Sequence, residues 1–123
     1  MTTYKKGDVY LADVVFTDGS EIKKRPVVIV SGKEYNNKRD EIIVSAITSN
    51  IIRKIYGDIP IKNWSEAGLL YPSVATGLLF TIKKDLLGKR LGNLSEVDLI
   101  DLNNSIASNL EILLERQWNN VIF

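Results

Sequence analysis

Two apolar runs, one on each side of a polar connection, constrain the fold of this chain most strongly. Residues 27–30 read Val-Val-Ile-Val directly after Pro26, and residues 42–47 read Ile-Ile-Val-Ser-Ala-Ile directly before Thr48. Short runs rich in β-branched residues are typical of strands that are buried on both faces. If the two strands pair antiparallel, the start of the first lies beside the end of the second.

That pairing would bring Arg25, at the start of the first strand, close to Thr48, at the end of the second. Pro26 restricts the residue before it to an extended conformation, so Arg25 is partly fixed before it binds anything. Its guanidinium is planar, always charged and able to bind two oxygens of one phosphate. Ser49 and Asn50 add two small polar side chains after Thr48. These residues alone leave two interpretations open, because a solvated charge and a strand-ending turn give the same pattern.

The other segments predict further short strands separated by turns, which is typical of a small barrel or sandwich. The first strand is expected at residues 8–15, and the polar residues 16–24 after it are expected to form a loop. Residues 32–40 read as a polar connection, and residues 63–68 as one helical turn that ends at a glycine. The remaining strands are expected at residues 41–48, 56–61 with Pro60 at a sheet edge, 70–74 and 78–82, before a connection at 86–92.

The hydrophobic period changes to that of a helix after Ser95. Ser95 and Asp98 form a variant of the capping box, with an acid one carbon shorter than glutamate at the fourth position. Apolar residues then recur at spacings of three and four, which predicts a helix of about twenty residues packed on the strands. Residues 1–123 are expected to form a single domain. The apolar stripe comprises Leu99, Leu102, Ile106, Leu110 and Leu113, widened by Ile100, Ala107 and Leu114.

The composition narrows the possible chemistry. The chain has no cysteine and no histidine, so disulfides, thiol chemistry and the commonest general base and metal ligand are all excluded. Residues 1–94 carry 15 Lys and Arg against 10 Asp and Glu, whereas residues 95–123 carry 1 against 5. A basic body suits a polyanion, and a mixed solvated surface accounts for it equally well. No apolar run reaches membrane-spanning length and no signal-like segment follows Met1, so a cytoplasmic location without a membrane partner is expected.

A series of short segments, in order and with compatible spacing, matches one known family. They are Lys6-Gly7-Asp8-Val9-Tyr10, Gly19-Ser20-Glu21, Arg25-Pro26-Val27-Val28-Ile29-Val30-Ser31, Ala46-Ile47-Thr48-Ser49, Gly68-Leu69-Leu70-Tyr71-Pro72-Ser73-Val74, Phe80-Thr81-Ile82 and Lys89-Arg90-Leu91-Gly92-Asn93-Leu94-Ser95. Together they make nearly the whole chain resemble the MazF/PemK family of toxin ribonucleases from bacterial toxin–antitoxin pairs.

The resemblance implies a mostly β (α+β) fold, namely a small SH3-like β-barrel of the MazF/PemK/CcdB-like toxin type with a C-terminal α-helix. It also implies a homodimeric endoribonuclease toxin that cleaves single-stranded RNA at preferred sequences and inhibits growth. The reaction would transfer an RNA phosphate to the RNA's own 2′-hydroxyl, without a metal or other cofactor. A cognate antitoxin peptide would neutralise the toxin, and the complex of the two would bind DNA.

The family's catalytic Arg and Thr correspond here to Arg25 and Thr48. Both would donate hydrogen bonds to the phosphoryl oxygens, which gain negative charge in the transition state. Substrate-binding roles are expected for Ser49, Asn50, Glu21 and Ser20.

One departure from the family concerns the segment after Pro72-Ser73-Val74. Many members carry an Arg and an Asp there, whereas this chain reads Ala75-Thr76-Gly77. The sequence therefore names no general base or acid. Two alternatives stay open: a non-catalytic member of the same fold that binds protein or RNA, and an SH3-like adaptor for proline-rich peptides. The adaptor ranks last because the aromatic residues form no obvious cluster.

Overall fold

The computed structural model describes residues 2–15 and 22–113. Within these residues, strands come first and the longer of two helices comes last, with one 3₁₀ turn, Lys84–Leu86, before the final strand. The strands are β1 Asp8–Val15, β2 Ile22–Ile29, β3 Glu41–Thr48, β4 Ile59–Pro60, β5 Val74–Lys83 and β6 Leu87–Asn93, and the helices are α1 Lys33–Lys38 and α2 Glu96–Asn109.

The described strands form one antiparallel sheet in the order β4-β5-β3-β2-β1-β6. The predicted mostly β fold with a C-terminal helix is confirmed, but the described sheet is open, with β4 and β6 as its edges, and does not close as a barrel would. β4 contains only Ile59 and Pro60, and Pro60 has no N–H with which to extend a ladder to another strand. The prediction that Pro60 lies at a sheet edge is confirmed.

The two apolar runs are neighbouring antiparallel strands, as predicted. Val27, Val28 and Ile29 are fully buried, with Val28 in the apolar cluster on one face of the sheet and Val27 and Ile29 in the cluster on the other. β2 nevertheless begins at Ile22 and not at Pro26, because its first residues pair with β1 before the strand reaches β3. The described part of the predicted loop at 16–24 is therefore strand.

Each face of the sheet carries its own apolar cluster. On one face α2 and the segment after β4 cover Val28 and Ile47, with Leu102 of α2 almost fully buried among them. On the other face Tyr10, Ile29 and neighbouring side chains of β1, β3 and β5 pack together, with Phe80 at the margin. Arg25 and Thr48 lie at the end of the sheet where both clusters stop, which puts polar side chains beside apolar walls.

The predicted polar connection at 32–40 contains α1, a correction that a buried amide explains. The Asn36 side chain is 1% exposed and donates to the carbonyls of Tyr4 and Ser31, both at 3.0 Å. Its carboxamide oxygen accepts from the Ser31 hydroxyl. This short helix is held by one polar residue and not by an apolar stripe, so the hydrophobic pattern gave no sign of it.

Three strand predictions also need correction. Residues 56–61 contribute only the two residues of β4. Residues 70–73 are not strand, and β5 begins at Val74 and runs without interruption through the strand predicted at 78–82. A bulge within β5 accommodates the residues that resembled a break. The predicted connection at 86–92 is largely β6, whose polar, glycine-containing sequence suits a sheet edge exposed to solvent.

Helix α2 begins where the sequence predicts and ends earlier. The Ser95 hydroxyl accepts a hydrogen bond from the Asp98 backbone N–H at 3.2 Å, which confirms the N-cap. The helix ends at Asn109, so Leu110 and Leu113 of the predicted stripe lie beyond it and are half exposed. Ile100 is also half exposed, whereas the stripe residues Leu99, Leu102, Ile106 and Ala107 are buried or pack on the core. Leu114 lies outside the described residues.

The Asp98 carboxylate does not close the capping box but anchors another segment. It is fully buried and accepts from the backbone N–H groups of Lys62, at 2.9 Å, and Asn63, at 2.8 Å. These bonds fix the predicted helical turn, which ends as expected at Gly68. Gly68 has φ +82°, and a Cβ there would lie 2.0 Å from the carbonyl oxygen of Leu91, so only glycine fits.

Candidate active site

A groove opens at the end of the sheet where β2 and β3 diverge. Their ladder ends at the pair Val27 and Ala46. Beyond this pair β2 continues along β1, with Arg25 opposite Ala12, while β3 continues along β5 as far as Thr48. The space between the diverging strands is a cavity of about 780 Å³. Its size is within the range of ligand sites in proteins.

The sequence-predicted site residues that the structure describes all line this groove. Leu69, Leu70 and Tyr71 form part of the opposite wall. Ser20 and Glu21 lie outside the described residues. The polar lining comprises Arg25, Thr48, Ser49, Asn50, Arg53 and Tyr71, together with the buried Ser73 and Thr76.

The divergence of the two strands accounts for the positions of Arg25 and Thr48. Each lies two residues beyond the last β2–β3 pair, Val27 and Ala46, on its own side of the opening. There Arg25 pairs with Ala12 of β1 and Thr48 with Val74 of β5. Both residues line the groove, one on each of the diverging strands.

The Thr48 hydroxyl is oriented by its own turn. Its oxygen accepts a hydrogen bond from the Asn50 backbone N–H at 3.1 Å, which is the side-chain turn expected of a threonine at a strand end. That bond uses a lone pair of the oxygen and leaves the hydroxyl hydrogen for another acceptor. Thr48 is thus prepared to donate to an anion in the groove. Ser49 follows it and is exposed.

A second arginine lines the groove and is held by an ion pair. Arg53 donates from Nε and Nη2 to the two carboxylate oxygens of Asp58, at 2.6 and 2.8 Å. The Asp58 side chain is 9% exposed and that of Arg53 is 28% exposed, so the carboxylate faces the protein and the guanidinium faces outward. The hydrogen bond with Arg53 holds the pKa of the Asp58 carboxyl below its ordinary value, although burial opposes the shift. The same hydrogen bond raises the pKa of Arg53.

The segment in which the family's Arg–Asp pair is missing forms the bulge in β5. Ser45 pairs with Leu79 and Ile47 with Ala75, so two steps on β3 correspond to four on β5. The Thr76 hydroxyl donates to the carbonyl of Ala46 at 2.9 Å, which commits its proton within the sheet. Thr76 therefore supports the groove wall and keeps no proton for a ligand.

The bulge and the loop before β4 pack against each other at two glycines. The backbone N–H of Gly77, in the bulge, adds the smallest of the contributions that lower the pKa of the Asp58 carboxyl. Gly57 has φ +95°, and a Cβ there would lie 3.4 Å from Gly77 Cα and 3.0 Å from Asn109 Nδ2. A glycine is favoured because φ is positive there, and the loop backbone is in van der Waals contact with the bulge. Arg53 is consequently presented to the groove by a braced loop.

Sequence reasoning did not assign a site role to Arg53 or Tyr71. The only signal for Arg53 is the opposite charge of Asp58 five residues later, across a glycine-containing turn, and such pairs are common on ordinary surfaces. Tyr71 is 65% exposed beside the groove and offers an aromatic face on which a base can stack. Nothing in its local sequence distinguishes it from other exposed tyrosines.

Other kinds of site are not evident in residues 2–15 and 22–113. This part of the chain has no group of three or more acidic side chains arranged to hold a metal ion. It also contains no helix long and apolar enough to cross a membrane.

Comparisons with known proteins agree with this architecture. Residues 5–110 match the family described as PemK-like, MazF-like toxin of type II toxin-antitoxin system. The chain is 36% identical over 109 residues to "Endoribonuclease MazF" of Staphylococcus saprophyticus, which covers 86% of this chain and 90% of that protein. It is 32% identical over 108 residues to the protein of the same name from Staphylococcus epidermidis, with the same shares covered.

A solved structure described as "Endoribonuclease in complex with its cognate antitoxin from Mycobacterial species" superposes with a TM-score of 0.72. It is 22% identical and covers 89% of this chain and 97% of that one, and it shows the fold alone. The open sheet with its C-terminal helix is thus the fold of MazF toxins. The family match over most of the chain and the two staphylococcal relatives show that this chain belongs to the PemK-like, MazF-like toxin family of type II toxin–antitoxin systems.

Proposed function

We propose that this chain is an endoribonuclease toxin that cleaves single-stranded RNA without a metal and is neutralised by a cognate antitoxin. The observation that carries the proposal is the groove in which Arg25 and Thr48 face each other across the diverging strands. The two staphylococcal relatives, which are named endoribonucleases, supply the reaction class.

In the proposed reaction the RNA 2′-hydroxyl attacks the adjacent phosphorus, and the bond from phosphorus to the 5′-oxygen breaks. The products are a 2′,3′-cyclic phosphate and a 5′-hydroxyl fragment, and the proton of the 2′-hydroxyl is balanced by the one that the leaving oxygen takes up. Negative charge grows on the phosphoryl oxygens in the transition state. Arg25 and the Thr48 hydroxyl are the donors that stabilise it, and Ser49 is a third candidate.

The groove also suits the rest of a single strand. Positive side chains next to an exposed aromatic ring are the usual means of binding unpaired nucleotides. Arg25 and Arg53 contribute the charge and Tyr71 the ring. Asn50 can hydrogen-bond a base edge, and this is how we assign its substrate-binding role. Ser20 and Glu21 keep that role as a prediction from the sequence.

The partners follow from the family and from the exposed apolar surface. The loop after β3 exposes the large apolar side chains of Ile51, Ile52, Ile55 and Tyr56, which are suited to contact with another protein. We assign such surface to a second copy of the chain and to an antitoxin peptide, within the cytoplasm. We expect sedimentation to give a dimer at micromolar concentration, and a monomer would contradict the homodimer.

The test is incubation of the purified chain with a long single-stranded RNA in EDTA, followed by mapping of the fragment ends. The parent should give discrete cuts with 5′-hydroxyl ends, and Arg25→Ala should give none. Lys24→Ala is the matched control, because Lys24 is adjacent on β2 and pairs with Asp13 at 3.0 Å outside the groove. It should cut like the parent.

Three outcomes would contradict the proposal. If the parent binds RNA and leaves it intact, the chain is the non-catalytic member of the fold that the sequence left open. If Arg25→Ala and Lys24→Ala both cut as the parent does, the groove is not the site of cleavage. Cleavage that is lost in EDTA would exclude the metal-independent reaction.

A further inference from the structure

The ion pair of Arg53 and Asp58 differs from the other ion pairs of the described residues in where it lies. Lys24–Asp13, Lys38–Glu34, Arg39–Glu41 and Lys62–Asp101 are exposed at the surface. Arg90–Asp8 has a buried carboxylate, as Arg53–Asp58 has, but it does not border the groove. Only Arg53–Asp58, among these pairs, combines a buried acid with an arginine that lines the groove.

The geometry leaves part of the guanidinium available. The pair occupies Nε and one hydrogen of Nη2, so the end-on edge formed by Nη1 and Nη2 takes no part in it. That edge can bind two oxygens of a phosphate. An arginine whose carbon chain is already fixed by a carboxylate loses less conformational freedom when it binds a ligand than a solvated arginine does.

The position of the pair is also fixed. Gly57, next to Asp58, packs against Gly77 of the bulge, and the Ser105 hydroxyl of α2 donates to the carbonyl of Gly57 at 3.2 Å. The loop is therefore braced by β5 and by α2. It places the Arg53 guanidinium on the groove close to the bulge at Ala75-Thr76-Gly77, a segment that carries no charge in this chain.

We propose that Arg53 is a phosphate-binding residue of the groove, held in position by Asp58, and that it binds an RNA backbone phosphate other than the one that is cut. This inference rests on the proposed function for the identity of its ligand. Arg53 would align the strand so that the cut phosphate reaches Arg25 and Thr48. Asp58 is then a positioning residue that acts through Arg53 and touches no RNA.

The experiment measures RNA binding as a function of salt. The ligand is an oligonucleotide of the mapped cut sequence with a 2′-deoxy sugar at the cleaved position, which removes the nucleophile and leaves every phosphate. If the parent cuts nothing, a single-stranded oligodeoxynucleotide of mixed sequence serves instead. Affinity is measured from 50 to 300 mM salt for the parent, Arg53→Gln, Asp58→Asn and Arg90→Gln, each with its thermal midpoint.

Arg53→Gln should weaken binding about tenfold near 0.1 M salt and reduce the slope of log K against log salt by about 0.7, the value for one phosphate contact of a single strand. Asp58→Asn breaks the same ion pair but keeps the cation, so it should keep the parental slope. Arg90→Gln removes an arginine from a comparable buried pair and should keep both slope and affinity.

A purely structural pair would behave differently. Arg53→Gln and Asp58→Asn would then change affinity equally, in proportion to their loss of thermal midpoint and without a change of slope that is specific to Arg53. That result, or a failure of the parent to bind the oligonucleotide at all, would overturn the inference. Cleavage by the parent is read separately, so an intact RNA with a reduced slope for Arg53→Gln would remove the ribonuclease proposal and keep the phosphate site.

Discussion

Replacement of Asp98 by asparagine tests how α2 holds the fold beneath the groove. The carboxylate is fully buried and accepts from two backbone N–H groups, those of Lys62 and Asn63. An asparagine has the same shape but only one acceptor oxygen, and its NH₂ group would face a second donor. One backbone N–H is therefore left without a partner, and the remaining bond loses its charge.

The magnitude follows from these two losses. An unsatisfied buried donor costs about 1–3 kcal/mol, and conversion of a charged hydrogen bond to a neutral one costs about 1 kcal/mol more. We expect Asp98→Asn to lower the free energy of unfolding by about 3 kcal/mol. At about 4 °C per kcal/mol for a chain of this length, the thermal midpoint should fall by about 12 °C.

Asp101→Asn is the matched control. It is the same chemical change on the same helix, and Asp101 also reaches residue 62, through Lys62 Nζ at 3.5 Å. Both side chains of that pair are well exposed, so its loss should cost less than about 0.5 kcal/mol. Urea unfolding can be followed through Trp64, which packs against the core beside the anchored turn. Equal destabilisation by the two variants would refute the role given to the buried carboxylate.

Three further results are expected. Thr48→Val keeps the shape of the side chain and removes its hydroxyl, so it should lower kcat on RNA by about 10²-fold with a small change in KM. An unchanged cleavage rate constant in single-turnover assays would count against Thr48 as a donor. The pKa of Asp58 is held below its ordinary value of 3.8, so its ion pair stabilises the fold above about pH 4, and this stabilisation is lost as pH falls through the lowered pKa. Urea unfolding between pH 5 and pH 2.5 should therefore show a steeper loss of unfolding free energy for the parent than for Asp58→Asn. Parallel curves would contradict this. Gly68→Ala should lower the free energy of unfolding by at least about 2 kcal/mol, because φ is positive at this position and the new Cβ would meet the Leu91 carbonyl. Gly32→Ala is the control, because the space around Gly32 is open, and it should cost less than about 1 kcal/mol. Thermal unfolding measures both.

The pair Arg25 and Thr48 was accessible from the sequence because local rules position both residues. Pro26 marks where a strand is entered, the apolar runs mark the strands, and antiparallel pairing of neighbours then brings their ends together. The same rules place the start of α2 at Ser95. Each of these inferences uses residues that are close in sequence or strands that follow one another.

The open sheet and α1 show where those rules stop. Closure depends on whether the two edge strands meet, which a local pattern does not encode; alternation over residues 56–61 also overstated the length of the edge strand β4, which has two residues. α1 is held by Asn36, whose partners include the carbonyl of Tyr4, distant in the sequence. Tertiary hydrogen bonds of this kind leave no period in the sequence.

The second arginine illustrates the same point for the site. Arg53 lies on the groove in a loop that packs against Gly77 of the bulge and accepts a hydrogen bond from Ser105 of α2, and neither contact can be read from the loop itself. The sequence shows only that the charged pair is missing from residues 75–77. The structure shows an arginine and an aspartate next to the same bulge, contributed by a different segment.

This arrangement bears on how a chain without histidine can act on RNA. The proposed reaction brings its own nucleophile, the 2′-hydroxyl, so the protein is required to align that group with the phosphorus and to stabilise the charge that develops. The described lining of the groove offers cations, a hydroxyl whose lone pair is already engaged by the Asn50 N–H, and apolar walls that lower the local dielectric. Donors fixed before the substrate arrives need no reorganisation in the transition state, so the turn that orients the Thr48 hydroxyl would act on the developing charge directly. The braced loop that carries Arg53 would act through alignment of the strand.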